Sequence, residues 1–253
     1  MAEASYGINA VIFGPSKAGK TWLMDTAPAP RLILDAEGKT RFLPSKKIYW
    51  NPMATPPPEA DGSWDTCIVP VQSYKILDQA REWLVSGQHP FRSVGLDSIS
   101  EAQQRAVDDV VGIKQPQTQD WGTLLRMVAA LARGLRDLTT HPTNPLDAVI
   151  VNAMTKLDDS GVQAPFLQGQ MTDRLPYYFD LCNYLCIVPG PDGRPIRRLI
   201  VEPAPGFATG EAVGGALGPY IDDPNLTTML DTVRKDIANK TAAPTTAAET
   251  ETE

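Results

Sequence analysis

The sequence of 253 residues contains no run of 18 consecutive apolar residues, which is the length a transmembrane helix needs. Its first residues, Met1–Ser5, lack the basic start and the apolar run of a secretory signal peptide. We therefore expect no membrane partner and a cytoplasmic location.

Cysteine and histidine are scarce, with three and two residues. Cys182 and Cys186 are spaced as a pair would be, but no second pair exists to complete the four ligands of a structural zinc site. His89 and His141 each precede a proline, as loop residues often do. The sequence predicts reduced cysteines, no zinc site and no catalytic histidine.

Positive charge is in deficit, because 30 acidic residues oppose 23 basic ones and the net charge is −7. Proteins that hold nucleic acid by charge alone are usually basic. This balance argues against a simple DNA-coating protein. It leaves open DNA contact through a local basic loop or an assembled ring.

Apolar, β-branched runs predict buried strands at 8–13 and 31–35, with a short helix from Lys20 between them. A strand–helix–strand unit indicates a parallel sheet with a right-handed crossover. The predicted fold class is therefore α/β, a mostly parallel sheet flanked by helices.

The rest of the chain continues this alternation. We predict helices at 73–86, 121–138 and 226–237, strands at 93–97 and 148–152, and a C-terminal β-hairpin formed by 184–188 and 196–202. Residues 1–239 are expected to form one domain, with the proline-rich 44–66 as a loop or small insertion. Residues 240–253 are low in complexity and predict a disordered acidic tail.

The segment Gly14-Pro15-Ser16-Lys17-Ala18-Gly19-Lys20-Thr21 matches the phosphate-binding pattern G-x-x-x-x-G-K-[ST] in full. Glycines let the backbone N–H groups approach the phosphates, and the following helix offers its positive N-terminus. Lys20 is expected to reach the β- and γ-phosphates and Thr21 to bind Mg²⁺. Trp22 completes the predicted ATP site, whereas Lys17 either adds charge near the phosphates or faces solvent.

Hydrolysis also needs acids that hold the metal and orient the attacking water. Asp97 ends a buried strand, where such sheets place ligands, and is predicted to hold Mg²⁺. Glu37 follows the second strand and is predicted to position water, with Asp35 as the alternative. Asn152, at the end of the strand predicted at 148–152, is a candidate γ-phosphate sensor, and Thr155 is a second candidate.

The order strand–GPSKAGKT–helix, then LILDAEG, VGLDS and AVIVNAMTK, resembles the RecA/RadA-type recombination ATPases. It is most similar to their compact phage branch, the Sak-type single-strand annealing ATPases, over residues 7–203. The resemblance implies a RecA-like P-loop NTPase core in which Glu37 is the catalytic glutamate, Asp97 the metal aspartate and Asn152 the polar residue of the next strand.

The resemblance also implies a function. It implies ATP hydrolysis on single-stranded DNA in phage recombination or replication, within the host cytoplasm. A homo-oligomeric ring or filament with nucleotide at its subunit interfaces is implied as well, and a single-strand DNA-binding protein is a further implied partner.

Two departures from the family pattern stand out. The segment 206–211 lacks the Lys-x-Arg-like element expected after the last hairpin, so Arg198 is our candidate for reaching a neighbour's nucleotide, with Arg197 or Arg194 as alternatives. The family's DNA-binding region corresponds to 154–175, which here holds both signs of charge. DNA binding is therefore implied by resemblance rather than by charge.

Three other functions remain open. A GTPase would use D-x-x-G at 35–38 and T-K-x-D at 155–158, although the first motif follows the P-loop too closely. A small-molecule kinase would normally show an arginine-rich lid. A non-enzymatic interaction module would use ATP only to switch a binding surface.

Overall fold

The structure, a computed structural model, describes residues 6–242. Within that range the strands are β1 Ile8–Phe13, β2 Arg31–Asp35, β3 Lys47–Tyr49, β4 Thr66–Pro70, β5 Ser93–Asp97, β6 Ala148–Leu157, β7 Gln163–Phe166, β8 Leu181–Pro189, β9 Pro195–Ile200, β10 Gly210–Glu211 and β11 Tyr220–Asp222. The α-helices are α1 Lys20–Met24, α2 Tyr74–Val85, α3 Ile99–Val111, α4 Thr118–Arg136, α5 Met171–Arg174 and α6 Leu226–Ala242. Short 3-10 turns cover Thr40–Phe42, Asp137–Thr140 and Leu175–Tyr178.

One mixed sheet, in the order β11-β9-β8-β1-β6-β5-β2-β4-β3, forms the centre of the described chain. The pairs from β8 to β3 along this order are parallel, whereas β9 and β11 run antiparallel at the other edge. β7 folds back on β6 and β10 pairs with β8. The α/β class with a mostly parallel sheet flanked by helices is confirmed.

The sheet is buried on both faces because successive side chains of a strand point to opposite sides. In β1, Val11 and Phe13 belong to the core on the side of α2 and α4. Ile8, Ala10 and Ile12 belong to the core on the side of α1 and α6. A continuous apolar run in β1 therefore supplies two cores at once, and it fixes the strand in the middle of the fold.

Several strands lie where the sequence predicts them, but the 44–66 segment does not consist of loop alone. It contains β3, the edge strand of the sheet, and leads into β4; neither of these strands, nor β7, was predicted. β2, which leads to Glu37, is not a neighbour of the P-loop strand, because β6 and β5 separate it from β1.

The C-terminal helix is longer than predicted. α6 includes residues 240–242, which were assigned to the disordered tail, and the remainder of that tail lies outside the described residues.

No helix in the described range combines the length and apolarity needed to cross a bilayer.

His89 gives a stability prediction. Burial, together with charge repulsion from His141, lowers the pKa of His89 to about 4. Its ring stacks against Phe91 with 5.7 Å between centroids. As the pH falls, His89 takes up a proton near pH 6.5 in the unfolded chain but only near pH 4 in the folded chain. Stability is therefore lost as the pH falls from 6.5 towards 4.

Urea unfolding should therefore show a lower free energy of unfolding at pH 5 than at pH 7. His89 should account for about 1 kcal/mol of this difference in the free energy of unfolding, after discounting for solvent screening. His89→Gln should remove that share of the pH dependence. An identical pH dependence in the variant would show that His89 does not cause it.

Candidate functional site

The P-loop connects the carboxyl end of β1 to the start of α1. Gly14 and Gly19 have φ angles of 156° and 102°, and Lys17 also has a positive φ. A Cβ on Gly14 would lie 2.2 Å from the carbonyl oxygen of Leu185 on the neighbouring strand β8. Glycine is required at this position because β8 approaches the loop so closely.

Lys20 closes back over the loop. Its ammonium donates hydrogen bonds to the carbonyl oxygens of Gly14 at 2.8 Å and Pro15 at 3.0 Å. Burial lowers the pKa of Lys20, against the opposing charges of Glu37 and Asp97. The loop thus holds a cation beside two acids that come from distant parts of the sequence.

A chain of hydrogen bonds joins Thr21, Asp97 and Asn152. The Thr21 hydroxyl donates to Asp97 Oδ2 at 2.6 Å, and Asn152 Nδ2 donates to Asp97 Oδ1 at 3.0 Å. The second contact follows from the register of β5 and β6, which pairs Asp97 with Asn152. Asp97 is 2% exposed, and burial raises the pKa of its carboxyl.

Glu37 enters the same group from the β2 side. Ser98, beside Asp97, donates its hydroxyl to Glu37 Oε1 at 2.5 Å, and Lys39 forms an ion pair with the other oxygen. Burial alone would raise the pKa of Glu37, but the hydrogen bonds from Lys39 and Ser98 outweigh it and lower the pKa below its usual value. The carboxylate is therefore ionised at neutral pH.

Asp35 stabilises the turn that follows β2. Its carboxylate accepts hydrogen bonds from the backbone N–H groups of Gly38, Lys39 and Thr40, and from the Thr40 hydroxyl. These contacts form the turn that presents Glu37. Asp35 is buried and engaged within the turn, so of the two predicted acids only Glu37 reaches the pocket.

Lys20, Thr21, Glu37 and Asp97 line a cavity of about 430 Å³. The lining residues that were predicted to belong to the site are Ser16, Lys17, Gly19, Lys20, Thr21, Trp22, Glu37 and Asp97. The lining also contains residues that were not predicted to line this cavity, namely Gly38, Lys39, Arg41, Phe42 and Arg197. Asn152 is fully buried behind Asp97 and does not line the cavity. Gly14, Pro15 and Ala18 form the loop backbone around it.

The two adjacent arginines of β9 point to opposite sides. Arg198 pairs with both carboxylate oxygens of Asp222, at 2.6 and 2.8 Å, and lies over the Tyr220 ring. It is not brought to this chain's own P-loop cavity, whereas Arg197 is. Arg194, in the hairpin turn, lies 3.6 Å from Asp192.

The T-K-x-D segment forms part of the β6–β7 hairpin. Thr155 donates its hydroxyl to Gln163 Oε1 at 2.8 Å, and Asp158 accepts hydrogen bonds from Ser160 and Val162 within the turn. None of its residues lines the P-loop cavity. The segment that a GTPase would use to recognise guanine therefore has a local structural role here, as does Thr155, the second sensor candidate.

The donor atoms at Thr21 and Asp97 fit a magnesium ion. Mg²⁺ binds hard oxygen ligands, commonly one or two protein groups together with substrate phosphates and water. The Thr21 hydroxyl and the Asp97 carboxylate, whose oxygens lie 2.6 Å apart beside the P-loop, supply oxygen ligands of this kind. The buried Asn152 amide fixes the orientation of the carboxylate.

No family model matches this sequence, and no curated protein matches it. Among solved structures, the chain is similar to a prototypical ATPase from the type III secretion system of pathogenic bacteria. The two share 14% identity and a TM-score of 0.44, over 71% of this chain and 52% of the other. The chain thus spans about half the length of that ATPase.

Proposed function

We propose that this chain is a P-loop ATPase that binds ATP with Mg²⁺ and hydrolyses the γ-phosphate. The observation that most supports this proposal is the hydrogen bond between Thr21 and Asp97, which are separated by 76 positions in sequence. It joins the phosphate-binding loop to a buried strand-end carboxylate, and the two groups together are what a Mg²⁺–triphosphate needs.

Each residue then has a role. Lys20 binds the β- and γ-phosphates, while Thr21 and Asp97 hold Mg²⁺, which neutralises charge on the phosphates. Glu37, ionised at neutral pH, orients the attacking water and accepts its proton. Asn152 acts through Asp97 as a positioning residue, because its side chain is buried and has no access to the cavity.

A second candidate, a nucleotide-gated interaction module with little turnover, is favoured by one observation. Glu37 is held by Ser98 and Lys39, so it must exchange at least one of these partners to act on water. In that case ATP binding would reorder the turn at 35–40 without efficient hydrolysis.

The proposed target is single-stranded DNA, as the resemblance to Sak-type ATPases implies. The β6–β7 hairpin exposes Leu157 and Phe166, with the Lys156 ammonium 5.7 Å from the Phe166 ring centroid. Aromatic faces and cations are the groups that proteins use to bind single strands. This hairpin is the surface through which we propose DNA contact during phage recombination or replication.

The proposed assembly is a homo-oligomer, ring or filament. Arg198 faces away from its own nucleotide site, so it is the candidate for a neighbour's γ-phosphate. It would have to leave Asp222 to act there. An arginine supplied in this way accelerates hydrolysis by about 10³–10⁵-fold in other P-loop enzymes.

The test is hydrolysis of ATP and of GTP, each with and without single-stranded DNA. We expect Mg²⁺-dependent ATP turnover that rises with DNA, and loss of both binding and turnover in Lys20→Ala. ATP binding without turnover would support the interaction module instead. Preference for GTP, or no nucleotide binding at all, would overturn the proposal.

A further inference from the structure

The P-loop cavity has two sides, set by the order of strands in the sheet. β5 and β2 lie on one side of β1; β5 ends in Asp97, and the turn after β2 carries Glu37. β8 and β9 lie on the other side, and β9 supplies Arg197. The acids and the arginine therefore approach the P-loop from opposite directions.

Arg197 packs directly on the loop. A Cβ on Gly19 would lie 2.4 Å from Arg197 Nε, so the guanidinium occupies the space that the glycine leaves open. Its carbon Cζ lies 5.9 Å from the centroid of the Trp22 ring. Unlike Arg198, Arg197 has no carboxylate within ion-pair distance in the part of the chain that the structure describes.

Trp22 is the second member of this side. It follows Thr21 directly and is 46% exposed, although a large aromatic side chain is usually more buried. An exposed indole with an adjacent cation gives a surface on which a nucleobase can stack, and such stacking is sequence-tolerant but energetically substantial. This surface opens into the nucleotide cavity.

We infer that Trp22 and Arg197 form the nucleoside end of the pocket, where Trp22 stacks on the base and Arg197 contacts the α-phosphate. This inference rests on the proposed ATPase function. Lys20, Thr21, Asp97 and Glu37 define the γ-phosphate end, so an extended triphosphate places its base towards the opposite side. Arg197 then acts within its own subunit, and it contributes to affinity rather than to the chemical step.

The experiment measures the Kd for ATP·Mg by isothermal titration, and kcat at saturating ATP, on the full chain. Arg197→Ala should raise Kd about 10- to 100-fold and change kcat less than about threefold, because the lost contact is equal in the ground and transition states. The Kd of Arg197→Lys should lie between those of the wild type and Arg197→Ala. Lys235→Ala, which removes one exposed positive charge from α6, is the matched control and should bind as the wild type does.

The tryptophan has its own pair of variants. Trp22→Ala should raise Kd about tenfold, whereas Trp22→Phe keeps an aromatic face and should stay within about threefold of the wild type. Inorganic triphosphate, which has no nucleoside, should bind the wild type and Trp22→Ala equally well. Equal losses for triphosphate and ATP would overturn the assignment of Trp22 to the base.

Mixing two defective variants tests whether Arg197 acts within its own subunit. Lys20→Ala mixed with Arg197→Ala should show no recovery of ATP turnover at low ATP concentration. Recovery would show that Arg197 serves a neighbouring subunit and would overturn the inference.

The remaining outcomes separate the inference from the proposed function. A fall in kcat with unchanged Kd in Arg197→Ala would make Arg197 a transition-state group and overturn the inference. Wild-type ATP binding with an unaltered Kd in Arg197→Ala would overturn the inference alone. Absence of ATP binding by the wild type would overturn the proposed function and this inference with it.

Discussion

Glu37→Gln should lower ATP turnover by about 10²- to 10⁴-fold, because it removes the only group proposed to accept a proton from water. The amide keeps the shape of the carboxylate and still accepts the Ser98 hydrogen bond, so the Kd for ATP should stay within about threefold. Steady-state hydrolysis and isothermal titration, on the same preparation, give the two numbers.

The control is Glu82→Gln, which makes the same chemical change on the exposed face of α2. It should leave both turnover and affinity unchanged. If Glu37→Gln hydrolyses ATP as the wild type does, the base lies elsewhere. If it fails to bind ATP, Glu37 shapes the pocket rather than the reaction.

Asp97→Ala should abolish Mg²⁺-dependent turnover and also destabilise the fold. The substitution leaves the buried Asn152 amide without its acceptor, and an unpaired buried donor costs about 1–3 kcal/mol. Thr21 loses the same acceptor, but it is partly exposed and can donate to water. Urea unfolding without nucleotide measures the stability term separately from catalysis.

A double-mutant cycle gives the sharper test. Asn152→Ala removes the donor, so the double variant should be destabilised by less than the sum of the two single variants. Purely additive losses would mean that the pair does not couple. Retained Mg²⁺-dependent turnover in Asp97→Ala would remove Asp97 from the metal site.

The central strands could be predicted from sequence because each is a buried run of apolar, β-branched residues. β1, β2 and β5 have the residues of such a run and the same bounds in the structure. β3 and β4 could not be recognised as easily, because a proline-rich segment separates them and β4 itself ends in Pro70. The run Cys67-Ile68-Val69, which is fully buried, was the available signal for β4.

Within the site, sequence reasoning found the P-loop residues and proposed both acids, but local turns decided their use. Asp35 and Glu37 are equivalent as sequence signals, and only the turn at 38–40 shows that Asp35 is engaged in backbone hydrogen bonds. For β9, alternation requires that Arg197 and Arg198 face opposite sides. Which of them faces the P-loop cavity depends on Asp222, a partner of Arg198 24 positions away.

The position of β1 between β6 and β8 has a consequence for synthesis of the chain. β1 is the first strand in the described chain, yet its two neighbours in the sheet begin only at Ala148 and Leu181. Long-range parallel pairing of this kind forms slowly and exposes apolar edges until it closes. β1 therefore stays unpaired on one side until β8 has been synthesised, and the P-loop cavity is complete only once β9 has added Arg197.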